Sequence, residues 1–306
     1  MDAIEWLQGT DPAIRWQVLR DLTDAPVAAI AAERARVAHA GLGARILDCQ
    51  GEDGAWHRAD THDWLPTLFT VLLLRATGVD RYDPRVEAAV ERLARGFRWH
   101  ESLGGRPFFD GEVEPCINGG ALACGSYFGR PSERLAARLL ADQLEDGGWN
   151  CEAPKSACSS FHSTICVIEG LLEYERAVGG APEVTAARRR GEQYLLERGL
   201  FRRRSTGEVV HPAFLELSYP PRYRYDVLRA LDHLRSAGVR PEPRMAEAVE
   251  IVRGRRHADG RWRLEGSCDE ALALPFVETV GEPSRWNTLR ALRVLRWYDQ
   301  GQPRER

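Results

Sequence analysis

Lysine is almost absent from this chain of 306 residues: Lys155 is the only one, and arginine supplies nearly every positive charge. Neither sign of charge dominates, because 42 basic and 45 acidic residues give a net charge of only −3. A chain so balanced has no overall electric field that would attract nucleic acid or an anionic membrane. We therefore expect no nucleic-acid partner.

Long hydrophobic runs are also missing. The longest dense run, Leu68 to Leu74, ends at Arg75 and falls far short of the roughly 20 apolar residues that cross a bilayer. The first five residues include two acids, where a signal peptide requires a basic start. We expect a cytoplasmic protein without a transmembrane segment. Its seven cysteines are expected to be reduced thiols, some of them metal ligands, and the sequence indicates no oligomeric state.

Several signatures of other enzyme classes do not occur. The chain has no Gly-x4-Gly-Lys-Ser/Thr loop and no dinucleotide fingerprint between a strand and a helix, so we expect no nucleotide cofactor. It has no Gly-x-Ser-x-Gly nucleophile turn either. Alternating β-branched runs are scarce, and the best of them, at 208–210, is only a fragment. These absences leave an all-α protein as the expected fold class.

What the chain does contain is helical periodicity, in two alternating sets of segments. The first set has charged residues on one face and apolar residues on the other, over Ala13–Leu22, Val27–Leu47, Pro84–Phe97, Ser132–Leu144, Glu183–Leu196 and Met245–Val252. The second set is apolar nearly all round, over Trp64–Ala76, Cys116–Phe128, Phe161–Tyr174, Tyr225–Leu234 and Trp286–Trp297. The pattern predicts surface helices alternating with buried inner helices.

A glycine-rich turn recurs between these helices, near 51–56, 104–110, 145–151, 205–211 and 257–263. The period is about 50 residues with two helices in each repeat, which is typical of a repeat architecture. We predict an all-α fold in a single domain over 1–306, an α/α toroid of five to six helical hairpins. Its inner apolar helices would surround a central cavity, whereas an open stack would expose its ends.

Two of these turns carry the pattern Gln-x3-Gly-x-Trp, and a third differs only at its first position: Gln50…Gly54…Trp56, Gln143…Gly147…Trp149 and Arg256…Gly260…Trp262. Such QW motifs resemble those of the terpenoid-cyclase and protein-prenyltransferase superfamily, which includes the squalene cyclases. The resemblance covers about residues 1–300 and implies an α/α toroid with its chemistry in the central cavity. We interpret the motif residues as structural, with a tight glycine turn, a tryptophan packed over a helix end and a glutamine capping backbone groups.

A metal site is the first candidate for chemistry. Glu114-Pro115-Cys116 opens one inner helix and His162 opens the next. Protein prenyltransferases look similar here, and the resemblance implies catalytic zinc on Cys116 and His162, with Glu114 or Cys151 as a further ligand. Zinc accepts thiolate, imidazole and carboxylate ligands together. The alternative is that the two cysteines are small buried side chains and that His162 is a helix-end histidine.

An acid is the second candidate. Class II terpene cyclases protonate an alkene with an Asp-x-Asp-Asp motif, which does not occur in this chain. The nearest acidic cluster ends in Asp63 just before an inner helix, where this residue is either a catalytic acid or a helix N-cap. Asp226 is a second acid or base candidate, and His162 is a candidate catalytic residue as well as a candidate metal ligand. A carboxylic acid stays protonated near neutral pH only when it is buried.

Aromatic side chains form the third candidate. Tyr219, Arg222 and Tyr223 lie close together in sequence, and Trp286 begins the last inner helix. Aromatic walls hold apolar ligands or stabilise carbocations, and arginine pairs with phosphate or carboxylate groups. We take these four as candidate substrate-binding residues. The alternative is a packed helix start whose tyrosines reach water.

The sequence as a whole predicts a squalene cyclase- or prenyltransferase-like enzyme, a transferase or a cyclase. It would act on an isoprenoid or other hydrophobic small molecule in the central cavity, with zinc as a candidate cofactor. Two alternatives stay open. One is a non-catalytic toroid that binds a hydrophobic ligand or a peptide, and the other is an acid-initiated cyclase without the usual Asp-rich motif. One scaffold hosts many activities, so the fold alone does not choose among them.

Overall fold

A computed structural model describes residues 2–9, 11–61 and 64–301 of the chain. In these residues all regular secondary structure is helical, and extended segments pair only through isolated bridges. The prediction of an all-α protein is confirmed. Among the same residues, no helix combines the length and the apolar character that crossing a membrane requires.

The helices follow the predicted alternation of polar and apolar segments. In chain order they are α1 (Ala3–Gln8), α2 (Pro12–Leu22), α3 (Val27–Ala35), α4 (Gly41–Asp48), α5 (Trp64–Thr77), α6 (Pro84–Gly96), α7 (Pro115–Tyr127), α8 (Glu133–Ala141), α9 (Phe161–Val178), α10 (Pro182–Leu196), α11 (Val227–Ser236), α12 (Ala246–Gly254) and α13 (Arg285–Gly301). The five segments predicted to be apolar and buried coincide with α5, α7, α9, α11 and α13. Short 3-10 turns lie between several of the helices.

One predicted helix is divided in the structure. The segment Val27–Leu47 forms α3, which ends at Ala35, and α4, which begins at Gly41. Gly41 has a positive φ of 72°, and a Cβ atom there would overlap the carboxylate of Asp11. The same carboxylate accepts a hydrogen bond from the backbone N–H of Leu42 at 2.5 Å. The helix therefore breaks where a side chain from elsewhere in the chain replaces its internal hydrogen bonding.

The chain forms two compact units. The first comprises the described parts of Met1–Leu42, Leu195–Cys268 and Phe276–Arg306, and the second comprises those of Gly43–Tyr194 and Asp269–Pro275. In the first unit, α13 packs against α2, α11 and α12. In the second unit, α5 packs against α6 and α7, and the most extensive helix contact joins α7 to α9. The single domain over 1–306 and its closure into a ring stay predictions.

The contact between α7 and α9 brings two backbones together. A Cβ atom on Gly119 would lie 2.6 Å from the carbonyl carbon of Cys166, and one on Gly170 would lie 3.0 Å from the Cα of Gly119. Real side chains do not fit at such distances, so only glycine permits this approach. The two inner helices are thereby fixed against each other next to the first turn of α7.

The three tryptophans of the QW motifs are fully buried and make the same hydrogen bond. Each indole N–H donates to the backbone carbonyl ten residues earlier, at 2.7–2.8 Å: Trp56 to Ile46, Trp149 to Leu139 and Trp262 to Val252. Each tryptophan backbone N–H donates to the hydroxyl of a threonine in the next inner helix, Thr67, Thr164 or Thr288, at 3.0–3.1 Å. Each turn thus ties one outer helix to the inner helix that follows.

The first residue of each motif caps backbone groups of the turn. Gln50 donates its side-chain amide to the carbonyls of Gly54 and Arg85, at 2.8 and 2.7 Å. Gln143 does the same to Gly147 and Ala187, at 2.7 and 2.9 Å. In the third motif, Arg256 donates to Gly260 at 3.3 Å. These contacts support the structural interpretation of the motif.

Candidate functional site

Three ligand-type side chains meet at the start of α7. A carboxylate oxygen of Glu114 and the Sγ atoms of Cys116 and Cys151 all lie within 4.8 Å of one another. Glu114 is exposed and the two cysteines are half-buried. The structure therefore brings together three of the four predicted metal ligands. Two thiols and a carboxylate form a donor set that a transition metal such as zinc accepts.

The local sequence explains the position of the first two side chains. Pro115 is the first residue of α7 and Glu114 precedes it at the N-cap position, so Cys116 lies in the first turn of the helix. Asn118, fully buried one turn further on, accepts a hydrogen bond from the backbone N–H of Glu112 and donates one to its carbonyl, both at 2.8 Å. The loop that carries Glu114 is thereby held to the helix that carries Cys116.

Cys151 reaches the group from the loop that follows the second QW turn. Its backbone N–H donates to the hydroxyl of Ser163, and its Sγ atom lies 3.2 Å from the same oxygen. Ser163 lies in the first turn of α9. Since α9 packs backbone to backbone against α7, the sulfur of Cys151 is placed from one helix and that of Cys116 from the other.

The two thiols differ in acidity because one donates a hydrogen bond to the other. The hydrogen bond from Cys116 lowers the pKa of Cys151 to about 7, although burial opposes the shift. The hydroxyl of Ser163 and the backbone N–H of Cys116 lower the pKa of Cys151 further. The same hydrogen bond, together with burial, raises the pKa of Cys116. Cys151 is therefore the more acidic of the two thiols.

Glu112 is a buried acid beside this group that the sequence analysis did not identify. Its residue is 2% exposed, and its Oε2 atom has no hydrogen-bond partner in the described part of the chain. Burial raises the pKa of Glu112 to about 7, and the charges of Glu114 and Cys151 act in the same direction. The carboxyl group can therefore take up or release a proton near neutral pH. Because Glu112 lies in a loop, it belongs to no periodic pattern that would have marked it.

His162 is half-buried in the first turn of α9 and does not belong to the three-residue group. Its sequence neighbour Ser163 is the residue that contacts Cys151. The metal-binding and catalytic roles of His162 stay predictions. Asp63, the candidate acid before α5, lies outside the described residues.

The C-terminal half of α9 forms ion pairs through an acidic side chain. Glu173 forms ion pairs with Arg75 of α5 and with Arg176, both at 3.1 Å. The C-terminal half of α9 therefore uses its acid to hold a neighbouring helix. The reactive groups of this unit lie at the opposite end, where α9 begins.

Asp226 lies in the first unit and caps α11. Its carboxylate accepts hydrogen bonds from the backbone N–H groups of Arg229 at 2.7 Å and Ser218 at 3.2 Å. The residue is 1% exposed, and burial raises the pKa of Asp226 although the charge of Arg290 opposes the shift. Holding the helix start is the role that these contacts show. The acid or base role of Asp226 stays a prediction.

The four candidate substrate-binding residues form two pairs in the first unit. Tyr219 stacks on Trp286 with ring centroids 4.7 Å apart and an interplanar angle of 10°, and both residues are buried. The guanidinium of Arg290 lies 5.5 Å from the centroid of the Tyr219 ring. Tyr223 is exposed, and the guanidinium of Arg222 lies 5.3 Å from its ring centroid. The stacked pair belongs to the core, whereas in the second pair Tyr223 is exposed and Arg222 is half-buried.

No protein-family model matches the chain, and no curated protein matches it. Among solved structures, the chain is similar to one described as a protein from Actinoplanes, with 17% sequence identity and a TM-score of 0.47. The match covers 94% of this chain and 90% of that chain. A similarity at this level identifies neither a family nor an activity.

Proposed function

We propose that this chain is a squalene cyclase- or prenyltransferase-like enzyme, an α/α toroid that acts on an isoprenoid or other hydrophobic small molecule with the help of zinc. The observation that carries the proposal is the meeting of Glu114, Cys116 and Cys151 within 4.8 Å at the start of an inner helix. The three QW turns support the toroid, because each repeats the same tryptophan and threonine contacts. The resemblance to the superfamily supplies the substrate class.

The residues present fit a catalytic zinc site better than a structural one. Structural zinc has four protein ligands, whereas catalytic zinc has three and keeps one position for water or substrate. Glu114, Cys116 and Cys151 supply three donors. Cys151 is prepared for metal binding by its lowered pKa. Cys116 must lose its proton on binding, so the affinity for zinc is expected to rise with pH.

Each residue of the group then has a distinct task. Glu114, Cys116 and Cys151 would hold the metal, which supplies Lewis acidity to a thiol, water or carbonyl group when bound. Ser163 orients the sulfur of Cys151 through the 3.2 Å contact. Glu112 holds or accepts a proton at its Oε2 atom, which is buried and has a carboxyl pKa of about 7.

Elemental analysis of protein purified without chelators tests the metal site. We expect one equivalent of zinc per chain in the wild type, and its loss in Cys116→Ser and in Cys151→Ser. Cys158→Ser is the matched control, because Cys158 is an exposed cysteine of the same loop that does not belong to the group. A metal-free wild type under zinc-replete conditions contradicts the proposal, as does zinc that both substitutions retain. Circular dichroism establishes that each variant is folded.

Turnover separates an enzyme from a binding protein. The zinc-loaded chain is incubated with an isoprenyl diphosphate and a small thiol, and the mixture is examined by mass spectrometry. We expect a thioether product that requires both zinc and Cys151. Binding of the isoprenoid without conversion would instead favour the non-catalytic toroid.

A further inference from the structure

Two thiols of the second unit lie close together. The Sγ atoms of Cys116 and Cys151 are within 4.8 Å of each other. They come from separate segments, the first turn of α7 and the loop before α9. Both residues are half-buried.

The other five cysteines do not combine partial exposure with a place in the ligand group. Cys49 and Cys158 are exposed, and neither belongs to the ligand group at the start of α7. Cys124, Cys166 and Cys268 are buried. Cys166 of α9 also lies near Cys116 but is buried. Among the seven cysteines, Cys116 and Cys151 are therefore the pair that combines closeness with partial exposure.

We propose that Cys116 and Cys151 are a peroxide-sensitive dithiol, which a hydroperoxide converts to a disulfide. Disulfide formation needs only the two thiols of the chain and the oxidant. Its consequence, release of zinc, rests on the proposed function, because the disulfide removes two of the three metal donors. The same two cysteines would then hold the metal when reduced and release it when oxidised to the disulfide.

The chemistry balances in two steps. The sulfur of Cys151, as a thiolate, attacks the terminal oxygen of the hydroperoxide, the O–O bond breaks, and the leaving alkoxide takes a proton from solvent to become an alcohol. Cys151 is then a sulfenic acid. The sulfur of Cys116, after its thiol proton is lost, attacks the sulfur of Cys151, so that an S–S bond forms and the S–O bond breaks. The hydroxide leaves with that proton as water, and one hydroperoxide has oxidised two thiols.

The local structure assigns the two roles. Cys151 attacks the oxidant, because the hydroxyl of Ser163 lies 3.2 Å from its sulfur and can donate a hydrogen bond that stabilises the thiolate. Cys116 is the resolving thiol, already beside the sulfur that becomes the sulfenic acid. Bound zinc would occupy both sulfurs and slow the first step.

Peptide mapping tests the proposal, because tryptic cleavage places Cys116, Cys151 and Cys158 in three different peptides. Wild-type protein, metal-free and zinc-loaded, is treated with hydrogen peroxide, its remaining thiols are alkylated, and tryptic peptides are mapped by mass spectrometry. Cleavage after Lys155, the only lysine, separates Cys151 in peptide 139–155 from Cys158. Cys116 lies in peptide 99–134 with Cys124, because trypsin does not cleave the Arg–Pro bonds at 106–107 and 130–131, and fragmentation distinguishes these two. We expect a disulfide joining Cys116 to Cys151, formed faster in the metal-free protein, and zinc released in proportion to it.

Variants fix the roles of the two residues. Cys116→Ser should leave Cys151 as a trappable sulfenic acid without a disulfide, whereas Cys158→Ser should behave as the wild type does. A disulfide from Cys151 to Cys158 or to Cys166 overturns the proposal, and so does an unlinked pair after every exposed thiol has been oxidised. A wild type that binds no zinc but forms the disulfide refutes the proposed function and leaves this inference standing. A protein that binds zinc but never forms the disulfide supports the metal site of the proposed function and refutes this inference.

Discussion

The backbone of Gly119 lies so close to Cys166 that a Cβ atom on the glycine would be 2.6 Å from the carbonyl carbon of the cysteine. This contact joins α7 to α9 next to the first turn of α7, which carries Cys116. It also lies one turn along α9 from Ser163, which contacts Cys151. The relative position of the two sulfurs therefore depends on two glycines, Gly119 and Gly170, that contribute no side chain to the site.

Gly119→Ala should consequently weaken both the fold and the metal site. The added methyl group must push α7 away from α9, which we expect to cost about 1–3 kcal/mol of unfolding free energy and to lower zinc affinity. Gly120→Ala is the matched control, because its Cβ would meet only the end of the Leu72 side chain, at 3.4 Å. Urea unfolding and zinc titration of the two variants provide the comparison. Equal effects of the two substitutions would show that the close helix contact does not position the site.

The reactivity of Cys151 should depend on pH in a way that its neighbours set. In metal-free protein, alkylation of Cys151 requires the thiolate, so its rate should rise with pH around a midpoint near 7, following the pKa of Cys151. Cys116→Ala removes the hydrogen bond that lowers this pKa most, and should move the midpoint to higher pH. Ser163→Ala should move it in the same direction by less.

Alkylation of peptide 139–155 followed by mass spectrometry measures this midpoint directly. Cys158 serves as the internal control, because it is exposed in the same loop and lies in a different tryptic peptide. A midpoint for Cys151 that neither substitution moves would contradict the assigned hydrogen bonds.

The QW turns should contribute to stability through their threonines. Thr164→Val keeps the shape of the side chain but leaves the buried backbone N–H of Trp149 without its acceptor, at a cost of about 1–3 kcal/mol. Thr70→Val is the control, because Thr70 is equally buried and its hydroxyl has no hydrogen-bond partner among the described residues. We expect that control to be neutral or stabilising in urea unfolding. Equal losses in both variants would remove the turn contact as the cause.

A buried ion pair network in the first unit should make stability depend on acid. Burial alone would raise the pKa of Asp232, but the charges of Arg293, Arg235 and Arg290 outweigh it and hold the pKa below its usual range. A lowered carboxyl pKa stabilises the folded state above the unfolded pKa of about 3.9, and that stability is lost as pH falls through the folded value. Asp232→Asn should cost about 3–5 kcal/mol at neutral pH, because it removes the carboxylate charge that the largely buried Arg290 and Arg293 face.

The difference between wild type and Asp232→Asn should shrink as the pH falls below about 4. Thermal or urea unfolding of both proteins across the acid range gives this difference. A cost that stays constant with pH would show that packing, rather than the charge of Asp232, accounts for the effect.

The helices could be predicted from the sequence because a helix that buries one face repeats apolar residues at helical spacing along a single segment. The predicted inner helix Trp64–Ala76 matches α5, and Phe161–Tyr174 lies within α9. The break at Gly41 could not be predicted, because its cause is Asp11, thirty residues away. Contacts between distant parts of the chain leave no mark in local periodicity.

The candidate site was predictable to the extent that it lies at helix starts. Glu114 and Cys116 lie at the start of α7 and Cys151 lies in the loop before α9, and the resemblance to protein prenyltransferases suggested that they share a metal site. Glu112 was missed because its burial depends on the loop fold that Asn118 holds. His162 lies in the first turn of α9 but does not belong to the three-residue group. The direction of each side chain in that turn could not be predicted from the sequence.

The central claim is that Cys116 and Cys151 hold a catalytic zinc ion together with Glu114, and X-ray absorption at the zinc edge tests it most directly. The account predicts two sulfur scatterers at about 2.3 Å and the remaining ligands oxygen or nitrogen at about 2.0–2.2 Å. Cys151→Ser should reduce the sulfur count to one. A zinc shell made only of oxygen and nitrogen, or one whose sulfur count does not change in Cys151→Ser, would contradict the account.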